Sequence, residues 1–174
     1  KGRLRYAVTP RFAPTSSDAQ LKVSGELLAS LPGALMQTHL SESPREIAFV
    51  KELFPWSQDY TDVYDHFGLL SDRSLFAHGI HLSERECERL SESGSTVVHC
   101  PTSNTFIGSG LFDMGLATQL RVGLATDTGG GSSFSMLRTM AGLEQVEMVV
   151  PGYAVEYDHI DPRALRPSLE LRDL

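Results

Sequence analysis

Short apolar runs alternate with amphipathic stretches along most of this chain, and the alternation predicts repeated β–α units. Leu4–Thr9, Ala34–Thr38, Ser74–His78, Thr96–His99 and Arg121–Thr126 read as strands. Helical stretches separate them. Asp18–Ser30 follows a Ser16–Ser17 pair that can cap it. Ser43–Leu53 is apolar at Ile47, Val50 and Leu53, and a shorter helix is predicted over Asp62–Phe67. Ser83–Ser93 carries the strongest local signature: Ser83 with Glu86 three residues on forms a capping box, and Gly94 stops the helix. Leu111–Gln119 and Ser132–Val149 complete the set of predicted helices.

Strand and helix alternate about five times, which predicts an α/β fold with a parallel sheet built by right-handed crossovers. Parallel strands buried on both faces read as continuous apolar runs, as Val97–Val98 and Val122–Ala125 do. No internal sequence repeat is visible. Five strands fall short of the eight of a (β/α)₈ barrel, so a barrel reading makes residues 1–150 its second half, about strands 4 to 8. Residues 151–174 differ: they are charged, carry three prolines and show no period, which predicts a divergent, loosely ordered tail.

Composition narrows the function classes. With 174 residues, 41% hydrophobic, the chain suits one globular unit with a real core. A net charge of −7 argues against a nucleic-acid partner, because no basic block exists to meet phosphates. No apolar run approaches the roughly 20 residues of a membrane span. Lys1-Gly2-Arg3 leads straight into a strand-like run without an initiator Met or a signal-peptide pattern, so a longer protein is expected. Cys87 and Cys100 form no CxxC pair and read as small buried apolar residues in a reducing cytoplasm.

The candidate chemistry lies at the strand ends. Arg11-Phe12 follow the first strand; His39 ends the second, with Glu42 three residues later; His78 ends the third, His99 the fourth and Asp127 the fifth. In a parallel barrel these ends face one mouth, where active sites lie. A single histidine at a strand end is usually a hydrogen-bonded structural residue; three in succession and then an aspartate form a pattern. Imidazole and carboxylate are ligands that zinc accepts, and a nearby carboxylate such as Glu42 can move protons. The HxE…PCxxC arrangement of cytidine-deaminase zinc sites is absent: Pro101 follows Cys100 and no second cysteine lies near. His66 and His81 read as surface or loop histidines, His99 as a mouth residue or a loop brace, and Trp56 as packing. Gly129-Gly130-Gly131 reads as a loop that makes room beside the site; no GK[ST] follows to suggest a phosphate cradle.

Four segments now carry a specific resemblance. Gln37-Thr38-His39-Leu40-Ser41-Glu42 resembles the strand-five HxxE motif of the deaminase and chlorohydrolase branch of the amidohydrolase superfamily. Phe76-Ala77-His78-Gly79 resembles its strand-six histidine, Val98-His99-Cys100-Pro101-Thr102-Ser103-Asn104 its strand-seven segment, and Leu124-Ala125-Thr126-Asp127 its strand-eight aspartate. Within the branch, Val8-Thr9-Pro10-Arg11-Phe12, Thr126-Asp127-Thr128-Gly129-Gly130-Gly131 and Phe54-Pro55 through Tyr60-Thr61-Asp62-Val63-Tyr64 resemble the guanine deaminases most closely. The similarity runs from about Leu4 to about Val149.

The resemblance implies Zn2+ as cofactor, with His39 and Asp127 as ligands. It implies Glu42 as proton shuttle, His78 as hydrogen-bond partner of the attacking water, and Asp127 as the acceptor of that water's proton. Arg11 and Phe12 would hold the purine, beside His39, Glu42 and Asp127. The implied reaction converts guanine and water to xanthine and ammonia, in a cytoplasmic homodimer. The branch takes two more ligands from an HxH on strand one, and no HxH occurs in these 174 residues. With two ligands the isolated chain is expected to hold zinc poorly and to be inactive alone. Two other readings stand beside this one: a deaminase or dechlorinase of another heterocycle, and an inactive relative or half-barrel that serves as a binding partner.

Overall fold

The computed structural model describes residues 4–149. Five strands form one parallel sheet in sequential order: β1 (Ala7–Val8), β2 (Leu35–Leu40), β3 (Ser74–His78), β4 (Thr96–His99) and β5 (Arg121–Leu124). Helices α1 (Asp18–Ser30), α2 (Pro44–Leu53), α3 (Tyr60–His66), α4 (Glu84–Ser93), α5 (Pro101–Ile107) and α6 (Met136–Val149) connect or follow the strands. The α/β fold and the sequential parallel sheet are those the sequence predicts, and the tail beyond Val149 lies outside the described residues.

Helix boundaries follow their caps. The side chain of Ser17 accepts from the Gln20 amide at the start of α1, Ser43 from the Glu46 amide at α2, and Asp59 from the Asp62 amide at α3. At α4 the Ser83–Glu86 capping box is closed in both directions, and Gly94 ends the helix with φ +68°, a conformation that favours glycine. Arg85 and Arg89 of α4 pair with Asp59, Asp62 and Asp65 around α3. These pairs are partly solvated and orient the two helices more than they stabilise them.

Besides β1, which forms over only Ala7–Val8 of the predicted Leu4–Thr9, three elements depart from the sequence reading. Segment 101–107 is helical although its Ser, Thr and Asn carry no apolar period; Pro101 starts it and Gly108 stops it at φ +79°. Leu111–Gln119 forms only a 3-10 turn over Met114–Thr118, started by the Asp113 side chain accepting from Gly115 N. Helix α6 begins at Met136, four residues later than predicted, and the Ser135 hydroxyl accepts from the Arg138 amide in its first turn.

The sheet is also covered differently from the prediction. Met36, Thr38 and Leu40 of β2 and Phe76 of β3 are buried beneath the helices with Leu21, Leu28, Val50, Tyr64, Leu90 and Val97. The intervening residues Gln37, His39, Leu75 and Ala77 line an open concavity of about 450 Å³ on the other face. Among the described residues no layer covers that face, so burial alternates along β2 and β3.

The strand ends depart from regular backbone. Ser41, His78 and Asp127 all adopt positive φ (48°, 74° and 42°) without being glycine. Each such conformation costs about 1–2 kcal/mol. Their clustering at one end of the sheet marks that end as the place where side-chain direction matters more than local stability.

Candidate active site

The site lies at the carboxy-terminal ends of the strands. His39, at the end of β2, is held by the Arg11 carbonyl, which lies 2.7 Å from Nδ1. A carbonyl only accepts, so Nδ1 carries the proton and Nε2 presents a lone pair. Tyr64 sets this geometry from below. Its hydroxyl donates to the His39 carbonyl at 2.8 Å and accepts from the Ala13 amide at 3.0 Å, and the Thr38 hydroxyl lies at 3.1 Å. The Arg11–Ala13 loop is thereby locked to β2. Tyr64 is fully buried, and desolvation pushes its hydroxyl up to about 12.

Arg11, Phe12, His39 and His78 form a row. The Arg11 guanidinium sits 4.5 Å from the Phe12 ring centre. Phe12 and His39 are 5.8 Å apart by ring centres, and His39 and His78 are 5.2 Å apart. His78 would face the helices if β3 kept its alternation; its left-handed backbone accompanies a ring that meets the mouth residues instead.

His78 is 1% exposed. Its Nδ1 lies 2.9 Å from the Asn104 amide oxygen, and its Nε2 has no hydrogen-bond partner although it is buried. That orphan atom points at carboxylates: Glu42 Oε2 is 3.6 Å away and Asp127 Oδ2 is 4.0 Å away. Donor atoms of His39, His78 and Asp127 all lie within 4.8 Å of one another. Two imidazoles and a carboxylate, one of them with an unpartnered buried nitrogen, fit a borderline-soft divalent cation. The structure therefore brings Arg11, Phe12, His39, Glu42, His78 and Asp127 to one end of the sheet, and adds His78 to the possible ligands.

Other features complete the surroundings. Ser103 donates to Asp127 Oδ2 at 2.6 Å, and Ser109 donates to Glu42 Oε1 at 2.8 Å. In the Gly129–Gly131 loop, space is open at Gly129, whereas Gly130 and Gly131 pack close. A Cβ at Gly131 would fall 1.8 Å from the Thr126 carbonyl oxygen, and one at Gly130 would fall 2.4 Å from the Ser103 hydroxyl. Burial raises the Glu46 carboxyl above the ordinary range, and its Oε1 is buried without a partner. Sequence reasoning assigned no role to Ser103, Asn104, Ser109 or Glu46. Ser103 and Asn104 stand inside a recognised segment, whereas nothing in the local sequence marks Ser109 or Glu46.

The bland assignments hold in part. Trp56 packs on His66, with ring centres 4.5 Å apart, and Cys87 and Cys100 are buried free thiols. Burial pushes the Cys100 thiol up to about 12, which suits an inert packing residue. His81 is more than a loop residue, since its Nε2 donates to the Ser109 carbonyl at 3.0 Å. His99 braces the end of β4: it stacks on Phe112 and accepts from the Asn104 amide nitrogen at 3.3 Å.

Burial lowers the His99 imidazole from 6.5 to about 4, with the neighbouring His78 adding to the effect. The unfolded chain therefore takes up this proton first as pH falls, and stability attached to neutral His99 is lost between about 6.5 and 4. In the full-length protein this contribution should fall by about 1–2 kcal/mol from near pH 7.5 to near pH 5. Urea midpoints at the two pH values should converge for His99→Gln relative to the parent. An equal pH dependence in both proteins would refute the assignment.

This geometry defines the class. The chain belongs to the amidohydrolase family, whose pattern matches residues 1–166. Within it, the chain is similar to guanine deaminases. It is 48% identical over 141 residues to guanine deaminase of Escherichia coli (strain K12), covering 80% of this chain and 32% of the relative. It is 37% identical over 137 residues to guanine deaminase of Homo sapiens, covering 78% and 30% respectively. The solved structure of the E. coli enzyme superposes with a TM-score of 0.83 at 44% identity, over 88% of this chain and 36% of that one. A guanine deaminase from C. acetobutylicum, solved with guanine bound in its active site, superposes with a TM-score of 0.76 at 36% identity, over 80% and 34%. The chain thus spans about a third of the length of the relatives it matches.

Proposed function

We propose that the full-length protein hydrolyses guanine to xanthine and ammonia, and that this chain supplies its proton-transfer and purine-binding residues. The observation that carries the reading is the meeting of Glu42, the unpartnered His78 nitrogen and Asp127 beside the Arg11–Phe12 pair. Similarity to guanine deaminases, one of them solved with guanine bound, supports the substrate.

In this reading His39 and Asp127 hold zinc, together with histidines of an HxH outside these 174 residues, and His78 stands within reach of the same position. Bound there, zinc would lower the pKa of an attacking water to about 7. The remaining work falls to side chains. Arg11 binds acceptor atoms on the purine edge, where a planar guanidinium matches the ring better than an ammonium would. Phe12 packs against the ring. Asp127 takes a proton from the attacking water, and His78 holds that water through Nε2. Glu42 carries one proton of the attacking water to the ring nitrogen as C2 becomes tetrahedral, and then carries the proton taken up by Asp127 to the departing amine, so that both protons of the water are placed. The net change is one water consumed and one ammonia released.

The same reading carries a cytoplasmic location and a homodimeric assembly for the full-length protein. Among the described residues no helix is long and apolar enough to cross a membrane. The test is release of ammonia from guanine and from an amino-substituted purine nucleoside, and of chloride from a chlorinated triazine, by the full-length protein. Guanine is expected to be the preferred substrate by kcat/KM. Preference for either other compound would reassign the substrate, and no release from any would favour a binding role.

A further inference from the structure

We infer that segment Pro101–Ser109, made of α5 and the turn after it, is the positioning element of the proton-transfer groups. The inference rests on the deaminase reading above. Each proton-handling side chain has one polar atom tied to this segment. Ser103 donates to Asp127 Oδ2 at 2.6 Å, the Asn104 amide oxygen accepts from His78 Nδ1 at 2.9 Å, and Ser109 donates to Glu42 Oε1 at 2.8 Å. Three groups from three different strand ends are thus indexed to nine consecutive residues.

The bonds fix orientation as well as place. An amide oxygen only accepts, so Asn104 requires the His78 proton on Nδ1 when the ring is neutral, and Nε2 is left as a lone pair facing Glu42 and Asp127. The other end of the same amide donates to His99 Nδ1, which prevents the amide from turning over without losing that bond. Ser109 occupies Oε1 of Glu42 and leaves Oε2 as the oxygen nearer His78. Ser103 and Asn104 are 0% and 1% exposed, so they act through their partners rather than by touching a substrate.

The segment is itself anchored. Gly108 ends α5 in the left-handed conformation, and the Ser109 amide returns to the Asn104 carbonyl at 3.0 Å. His81 Nε2 donates to the Ser109 carbonyl, which holds the turn from the side of β3. Removing one of these indexed bonds leaves the substrate contacts of Arg11 and Phe12 intact. The effect should therefore appear in turnover and not in binding.

The experiment is steady-state guanine turnover by the full-length protein and its Ser109→Ala, Ser109→Thr and Asn104→Leu variants, with Glu42→Gln as reference. Ser109→Ala is expected to lower kcat about tenfold with KM within about twofold, as loss of a hydrogen bond to a charged group implies. Ser109→Thr keeps the hydroxyl and should restore most of the rate. Asn104→Leu should lower kcat about 30-fold or more with KM little changed. If Glu42→Gln abolishes turnover but Ser109→Ala keeps kcat within about twofold, or loses it through KM, or is not matched by recovery in Ser109→Thr, the positioning role is overturned and the deaminase reading stands. If the parent does not turn over guanine, the deaminase reading fails and takes this role with it; if the parent is active and Glu42→Gln keeps kcat within about tenfold of it, Glu42 leaves the proton path and the positioning role falls while guanine deamination stands.

Discussion

Glu42→Gln in the full-length protein is expected to lower kcat for guanine by about 10³-fold, within the range that a positioned acid–base group supplies. The substitution is nearly isosteric. A glutamine oxygen can still accept from Ser109, so the side chain should keep its place at the mouth. What disappears is the ability to take a proton and give it up again. No other carboxylate among the described residues stands as near to His78 Nε2: Glu42 Oε2 is at 3.6 Å and Asp127 Oδ2 at 4.0 Å, and Asp127 has its own task in the proposed reaction. KM should change by less than about threefold, since Arg11 and Phe12 are assigned most of the purine contact and a near-isosteric amide keeps its place beside the ring. Continuous ammonia detection measures both constants. A kcat within about tenfold of the parent would remove Glu42 from the proton path.

Asp127→Asn should be as damaging to rate, by about 10³-fold, but for two reasons that a second measurement separates. The amide has no negative charge for a cation and no lone pair basic enough to take the water's proton. Ser103 can still donate to the amide oxygen, so gross displacement of the side chain is not expected. Metal per chain after dialysis, read by plasma mass spectrometry, should fall in Asp127→Asn and stay at the parent level in Glu42→Gln. Full metal content with full turnover in Asp127→Asn would refute its assignment as ligand and base. Full metal content with lost turnover would assign it the proton role alone.

These effects fall on residues whose importance is legible in the amino-acid sequence. His39, Glu42, His78 and Asp127 stand at or just beyond the ends of apolar runs, and a parallel sheet must bring such ends to one side. The capping box at Ser83–Glu86 and the stop at Gly94 are equally readable, because capping is a contact between neighbours in sequence. Helix α5 is not readable in this way. Its residues favour turns when taken alone, and it is held by bonds from the buried side chains of Ser103 and Asn104 to side chains at least 24 residues distant. The reverse error at Leu111–Gln119 has a similar origin. Its apolar residues fit a helical period, but Phe112 and Met114 are buried in the core and the Asp113 cap starts only a 3-10 turn at Met114–Thr118.

By itself, then, the sequence determined the order of the strands, the parallel sheet, and which end of it holds imidazoles and carboxylates. Those follow from local periodicity and from the few ways β–α units can connect. Only the tertiary structure decided how the site is set. It placed the proton of His39 through the Arg11 carbonyl, left His78 Nε2 without a partner, and tied Asp127, His78 and Glu42 to one short segment. Hydrogen-bond direction depends on which atoms meet across tens of residues of chain, and no short-range pattern encodes that meeting.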